Sequence, residues 1–345
     1  MPPARKRVKG NWTDVASKQN NIRSALAFLA KVLVAVGLGY WLVSNRTLDA
    51  GSLRVLRQPH LVVHTILLFS LVSIGAATLR WLILLRAYGI SVHPVRAAAL
   101  QLMGLFFNAV IPGNLGGDFV KNLYVVRGRP VDVVALAVTE RLLGMIALIW
   151  AGWLITLGNA GYVLGQPALA PWLGVLTVLA LGAVLGPILV VVILPRVLPG
   201  ELPGIFGGIV RQLRSAVQVL RDKPKSGLLV FSISLFIHVM NLAYFYRITS
   251  TLLGTAPPLS AIAVIFPVGL LTMVLPVSVA GVGVGHMAFD QLFSAVGLSG
   301  GANAFHAFIV GNVGPMLLGA IPYLVLRRSR PADVSSDAPS AVGSE

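Results

Sequence analysis

Long apolar runs constrain this chain more than any other feature. A helix needs about 20 mostly apolar residues to cross a bilayer. The sequence supplies such runs at 25–43, 61–85, 131–157, 171–194, 227–250 and 303–326. Two further stretches, 97–130 and 259–300, begin apolar, break at a Pro/Gly cluster and continue as a short second helical segment. Broken backbone at membrane depth is tolerated only inside protein or beside a water-filled cavity, because lipid offers no hydrogen-bond partner. These two stretches therefore read as re-entrant hairpins. The expected fold is all-α and integral to the membrane, with six full spans plus two re-entrant Pro/Gly-broken hairpins, about eight hydrophobic segments in all.

Composition supports this and excludes the alternatives. Only 11% of residues are charged, against about 25% in soluble domains, too few to cover a water-soluble enzyme. The net charge of +16 would suit nucleic acid if it lay on a broad exposed face. Here little of the chain is left to form such a face, and anionic membrane surfaces are the better partner for Lys and Arg. There is no cysteine, which removes disulfides, thiolate metal sites and Cys nucleophiles together.

Cytoplasmic loops carry an excess of Lys and Arg. If both broken segments return to the side they came from, 20 basic residues fall on the inside and three, Arg46, Arg54 and Arg57, on the outside. That topology gives a basic cytoplasmic arm at 1–24, which is too long and polar for a cleaved signal sequence. It gives a polytopic domain at 25–326 and a disordered cytoplasmic tail at 327–345. Within 195–226, apolar residues at helical spacing alternate with Arg211, Arg214 and Arg221. This basic linker is either an interfacial amphipathic helix or a cytoplasmic connector with an apolar side.

The halves 25–157 and 171–326 then read as inverted copies: span, span, hairpin, span. Pro94 and Pro112 are matched by Pro258 and Pro276 at one shift of 164 residues, with Gly-rich sequence after each second proline. Paired Pro/Gly-interrupted segments in matching positions point to a transporter binding site.

Few acidic residues reach membrane depth. A charge at the bilayer centre costs about 2.5–3.5 kcal/mol on insertion scales, so Asp118, Glu140 and Asp290 are functional candidates. Asp118 follows Pro-Gly-Asn-Leu-Gly-Gly, and Lys121 stands three residues on. A short helix starting near Gly117 puts both on one face and presents free N–H groups suited to phosphate. Asp118 as a helix cap is the plainer reading. Glu140 and Arg141 are neighbours about 100° apart on a helix and do not pair with each other. Partners for Glu140 are Arg80, Lys121 or a backbone group; those for Arg141 are Asp118 or a lipid phosphate. A structural ion pair is the competing account. Arg80 and Arg247, near span ends, are expected to snorkel to the interface, and Asn312 to hold helices together. His60 and His64 have the spacing of two metal ligands but no third, so neither a metal centre nor a cofactor is expected.

Three motifs carry a resemblance. Asn108-x-x-x-Pro112-Gly-x-x-Gly116-Gly117-Asp118-x-x-Lys121, then Glu140-Arg141-x-x-Gly144, then Leu275-Pro276-x-Ser278-x-x-Gly281-x-Gly283 resemble, in this order, the motifs of the lysylphosphatidylglycerol synthase transmembrane region, or flippase-like, family. The resemblance covers about residues 25–326. It implies a multi-pass protein of the plasma (inner) membrane that moves a polar or charged lipid between leaflets, with N- and C-termini cytoplasmic. It implies a substrate site formed by Asn108, Pro112, Gly116, Gly117, Asp118, Lys121, Glu140, Arg141, Pro276, Ser278, Gly281 and Gly283. The implied partners are membrane lipids (anionic, zwitterionic or polyprenyl-linked) and a lipid-modifying enzyme. The soluble aminoacyltransferase domain of the best-known members is not seen, so lipid synthesis is not expected. Lys121 stands where the resemblance leads one to expect Arg, and His286 where a charged residue is common. Two alternatives stay open: a membrane-embedded glycosyl- or phosphotransferase using a polyprenyl carrier, and a non-transporting partner subunit of a lipid-modifying enzyme.

Overall fold

A computed structural model describes residues 50–110, 116–126, 130–192, 204–272 and 283–328. The arm, the expected span at 25–43, Pro112, Pro276, Ser278, Gly281 and most of the tail lie outside the described residues.

The described residues form helices and no strand. After a short 3-10 segment, Ala50–Arg57, come α1 (Pro59–Ala87), which widens into a π-type stretch over Leu68–Ala76, and α2 (Pro94–Val110). Then follow α3 (Gly116–Leu123), α4 (Pro130–Gly158) and α5 (Ala170–Val192). The second part holds α6 (Gly204–Asp222), α7 (Pro224–Leu253), α8 (Leu259–Thr272), α9 (Val284–Ala295) and α10 (Gly301–Leu326). Prolines open α1, α2, α4 and α7, where the missing N–H costs nothing because first-turn donors have no partner within the helix. Four helices, α1, α7, α10 and Val133–Gly158 within α4, are long and apolar enough to cross a membrane. This is a multi-pass, all-α membrane protein.

Its surface is that of a lipid-facing bundle. Val63, Ile66 and Leu71 on α1, Val178 and Leu185 on α5, Leu228 on α7, and Ile321 and Val325 on α10 are exposed. In water such a surface would aggregate; in hydrocarbon it costs nothing. Between helices, packing takes over from hydrophobic exclusion, so small residues set close approach.

Both broken segments fold back on themselves. In the first, α3 packs along α2. A Cβ on Gly117 would collide with the Gly104 carbonyl, so glycine alone fits there. In the second, α9 packs along α8, and Gly269 makes room for the ring of Phe289. The shift of 164 residues recurs in the helices. It carries α1 (59–87) nearly onto α7 (224–253), and α2 (94–110) onto α8 (259–272).

Of three apolar cores among the described residues, two flank the broken segments. One gathers Phe245, Phe266, Phe289, Phe293, Phe305 and Phe308 from α7 to α10. The other joins Trp81, Leu84 and Leu85 of α1 to Leu100 and Met103 of α2 and Leu136 and Leu143 of α4. The amphipathic linker helix α6 lies against α4 and α5, with Ala216 buried and Arg211 and Arg221 turned outward. It thus sits on the helical domain rather than apart from it.

Candidate functional site

The first hairpin places a short helix start deep in the bundle. The Gly116–Gly117 step lets α3 press against α2, and Asn108 Oδ1 accepts the Gly117 N–H at 2.8 Å. That bond satisfies one of the donors left free at a helix N-terminus. Asp118 then lies in the first turn of α3 and Lys121 in the next.

Lys121 is 1% exposed, and its ammonium is fully engaged. Nζ donates to Gln101 Oε1 at 2.9 Å and to Glu140 Oε1 at 2.9 Å. It lies 2.9 Å from Glu140 Oε2 and 3.4 Å from Asp118 Oδ1. It also sits 5.1 Å from the centre of the Trp81 ring, whose indole N–H donates to Asn122. Arg80 shares the same carboxylate oxygen, Nη2 donating to Glu140 Oε1 at 2.8 Å, while its Nη1 donates to Ser234 on α7 at 3.3 Å. Arg141, a residue along α4, faces elsewhere. Its Nε lies 2.9 Å from Asp118 Oδ2, a close ion contact without the angle of a hydrogen bond.

One network therefore ties α1, α2, α3, α4 and α7 together. Desolvation of each ion costs several kcal/mol, and only close pairing offsets it. Glu140 survives because two cations share it. Burial is graded: Lys121 and Glu140 are sealed, and the Arg141 side chain is 34% accessible. The network has an open end at Arg141–Asp118 and a closed end at Lys121–Glu140.

The structure brings together Asn108, Gly116, Gly117, Asp118, Lys121, Glu140 and Arg141. It adds Arg80, Gln101, Trp81 and Ser234, which the sequence reading left out of the site. Of the two expectations for Arg80, pairing with Glu140 holds and snorkelling to the interface does not. Arg80 stands seven residues before the end of α1, about 10 Å along the helix, near enough for snorkelling. Instead it turns inward to Glu140, because a carboxylate in a dry interior outweighs a distant interface. Gly283, in the second hairpin, is separate from this network. It opens α9 at φ +88°, and its N–H donates to His286 Nδ1 at 3.3 Å.

Other expectations resolve locally. His60 bonds Thr251, and His64 bonds the His60 carbonyl. Asn312 donates to Asn241 across the α10–α7 contact at 3.2 Å, the packing role expected of it. Asp290 Oδ1 lies 3.5 Å from the Ala302 N–H and ties α9 to the start of α10. Among the described residues, no group of three or more His, Asp or Glu could hold a metal ion.

An apolar helical bundle whose sealed ion pairs gather where the chain folds back is a polytopic membrane protein with a buried charged site. The chain belongs to the lysylphosphatidylglycerol synthase transmembrane region family, whose sequence profile matches residues 28–314. No curated protein matches the chain, and no solved structure does.

Proposed function

We propose that this protein moves a lipid with an anionic headgroup between the leaflets of the plasma (inner) membrane, with both termini in the cytoplasm. The observation that carries this reading is the charge count of the first-hairpin network. Arg80, Lys121 and Arg141 face two carboxylates, Asp118 and Glu140. The network as a whole carries one positive charge more than its carboxylates balance, and its accessible end is Arg141. A phosphate or other acidic headgroup entering beside Arg141 balances it, and a guanidinium fork matches such oxygens two at a time. The acyl tails stay in the surrounding lipid. Pro112, Pro276, Ser278 and Gly281 belong to the proposed path through their positions in the two breaks.

In this reading Lys121 and Glu140 hold the floor of the site, Asp118 keeps Arg141 in place until the headgroup takes over, and Gly117 keeps the backbone close. Binding energy is modest because each new bond replaces an internal one, which suits a carrier that must also release.

The test uses vesicles of phosphatidylcholine containing the purified protein and a trace of tail-labelled fluorescent phosphatidylglycerol or phosphatidylethanolamine. A membrane-impermeant quencher reads the outer leaflet. The protein should speed exchange of the anionic probe well beyond that of the zwitterionic one. Equal exchange of both, or none above protein-free vesicles, refutes the reading.

A further inference from the structure

The second break carries a pair of histidines that the charged network does not use. His286 is 2% exposed, three residues after the start of α9 at Gly283. Its Nε2 lies 3.1 Å from Nδ1 of the half-buried His306 on α10. The Phe305 ring stands edge-on to His286, 5.0 Å between centres, and itself stacks on Phe289. Gly285 leaves the space that lets Phe305 come so close.

The bonds fix the protons. Gly283 N–H donates to His286 Nδ1, so that nitrogen carries a lone pair, and the ring proton is on Nε2. Nε2–H then donates to His306 Nδ1, and His306 in turn keeps its own proton on Nε2. A directional chain runs from the first donor of α9 to a half-buried imidazole. In a capping box a Glu or Gln at this third helical position reaches back to the cap N–H. Here a histidine does so, and unlike Glu or Gln it can end as a cation by taking up a proton.

A proton entering the pair has two seats, and both are occupied. On His306 Nδ1 it sets N–H against the His286 N–H and parts the rings. On His286 Nδ1 it displaces the Gly283 N–H and uncaps α9. Either way the start of α9 loosens, at its cap or at its contact with α10. We propose that the His286–His306 pair is a proton-binding site, and that taking up one proton uncaps α9 at Gly283 or parts it from α10, so that proton movement is coupled to lipid movement.

No carboxylate pairs with these rings among the described residues. α8 has no titratable residue, and neither has the sequence 273–282. On α9 the one other titratable group is Asp290, turned to the Ala302 N–H. On α10 and the elements packed against it, Arg54, Arg57, Arg86, Arg96, Lys225 and Arg247 are exposed, and Arg80 is taken up by Glu140. His60 and His64 bond Thr251 and the His60 carbonyl, and His238 meets the Gly144 carbonyl. Tyr246 and Tyr323 are half-buried, and the Tyr244 hydroxyl is bonded to Thr65. Added charge would therefore stay on the rings, and geometry has to relieve it. The coupling rests on the transport reading; the protonation does not.

Two measurements test this. Nitrogen-15 NMR of protein labelled at histidine and glycine, in phosphatidylcholine vesicles, should find the singly protonated tautomers described above. On acidification from pH 8 to pH 4 the Gly283 amide resonance should move in the same step in which the pair gains its proton. His286→Gln, whose amide can keep both bonds, should leave that resonance still. A Gly283 signal that ignores the step, or a pair that takes no proton in this range, overturns the proposal. In the vesicle assay with labelled phosphatidylglycerol, a gradient of one pH unit should shift the final leaflet ratio about tenfold for one coupled proton. His286→Gln should abolish that shift and keep downhill exchange, while His238→Gln should retain it. Exchange by the wild type with no response to the gradient defeats the coupling and leaves the transport reading intact.

Discussion

Arg80 and Trp81 of α1 stand over the first break, with Lys121 of α3 and Glu140 of α4 completing the contact. At the shift of 164 residues the same places hold Tyr244, Phe245, Gly285 and Ala304. Tyr244 gives its hydroxyl bond to Thr65 at 2.6 Å, and Phe245 packs on Phe266 and Phe289 at 5.2 and 5.1 Å between ring centres. One helical plan is thus filled by desolvated charges in one half and by aromatic rings in the other. Buried ion pairs are weak evidence for stability, since apolar residues of similar volume serve as well or better. The second half shows that this scaffold closes without them. The charges of the first half therefore call for a reason other than holding the fold.

The largest way to break this comparison is to orphan the buried cations. Glu140→Ala leaves Lys121 and Arg80 without their shared carboxylate, and a loss of about 3–5 kcal/mol is expected. Thermal unfolding in detergent should show it, along with less protein in the membrane. A variant as stable as the wild type would mean that water or lipid already solvates the cluster. Next in size is the backbone contact beneath it. Gly117→Val drives a side chain into the Gly104 carbonyl and should cost about 1–3 kcal/mol by overpacking. Gly158→Ala, with open space around it, should change melting little.

Lys121 sharpens the comparison by function. Lys121→Ala should reduce lipid exchange more than Lys121→Arg, because Gln101 and Glu140 need a cation between them. The reverse order would show that ammonium geometry, not charge, is what the site requires. The smallest effect belongs to the apolar half. Asn312→Ala removes one interhelical hydrogen bond to Asn241, which in membranes averages about 0.6 kcal/mol. Exchange rates should stay at wild-type level there.

Intramembrane charge made half of this site legible from sequence. Asp118, Lys121, Glu140 and Arg141 stood out because a carboxylate or cation inside an apolar run is costly and rare. The two breaks stood out because Pro and Gly interrupt helices that lipid would otherwise force to be continuous. Arg80 was legible only as one of two fates, partner of Glu140 or snorkelling end residue, because its distance from a span end permits both and Glu140 is 60 residues away in sequence. Gln101, Trp81 and Ser234 are unremarkable in apolar helices until a fold sets them around Lys121. Likewise the meeting of His286 with His306 depends on how α9 lies against α10, which spacing along the chain does not encode.

The account rests on the open end of the network, so the Asp118–Arg141 pair tests it most directly. Arg141 is partly accessible, and its loss leaves Lys121 and Glu140 paired. Arg141→Ala and Asp118→Asn should therefore persist in the membrane in normal amounts. In vesicles carrying labelled phosphatidylglycerol, leaflet-resolved quenching should show exchange falling at least tenfold in Arg141→Ala, about 1.4 kcal/mol of lost stabilisation, with a smaller fall in Asp118→Asn. Wild-type exchange in both variants at equal protein would contradict the account and leave the charges of the first half as structure alone.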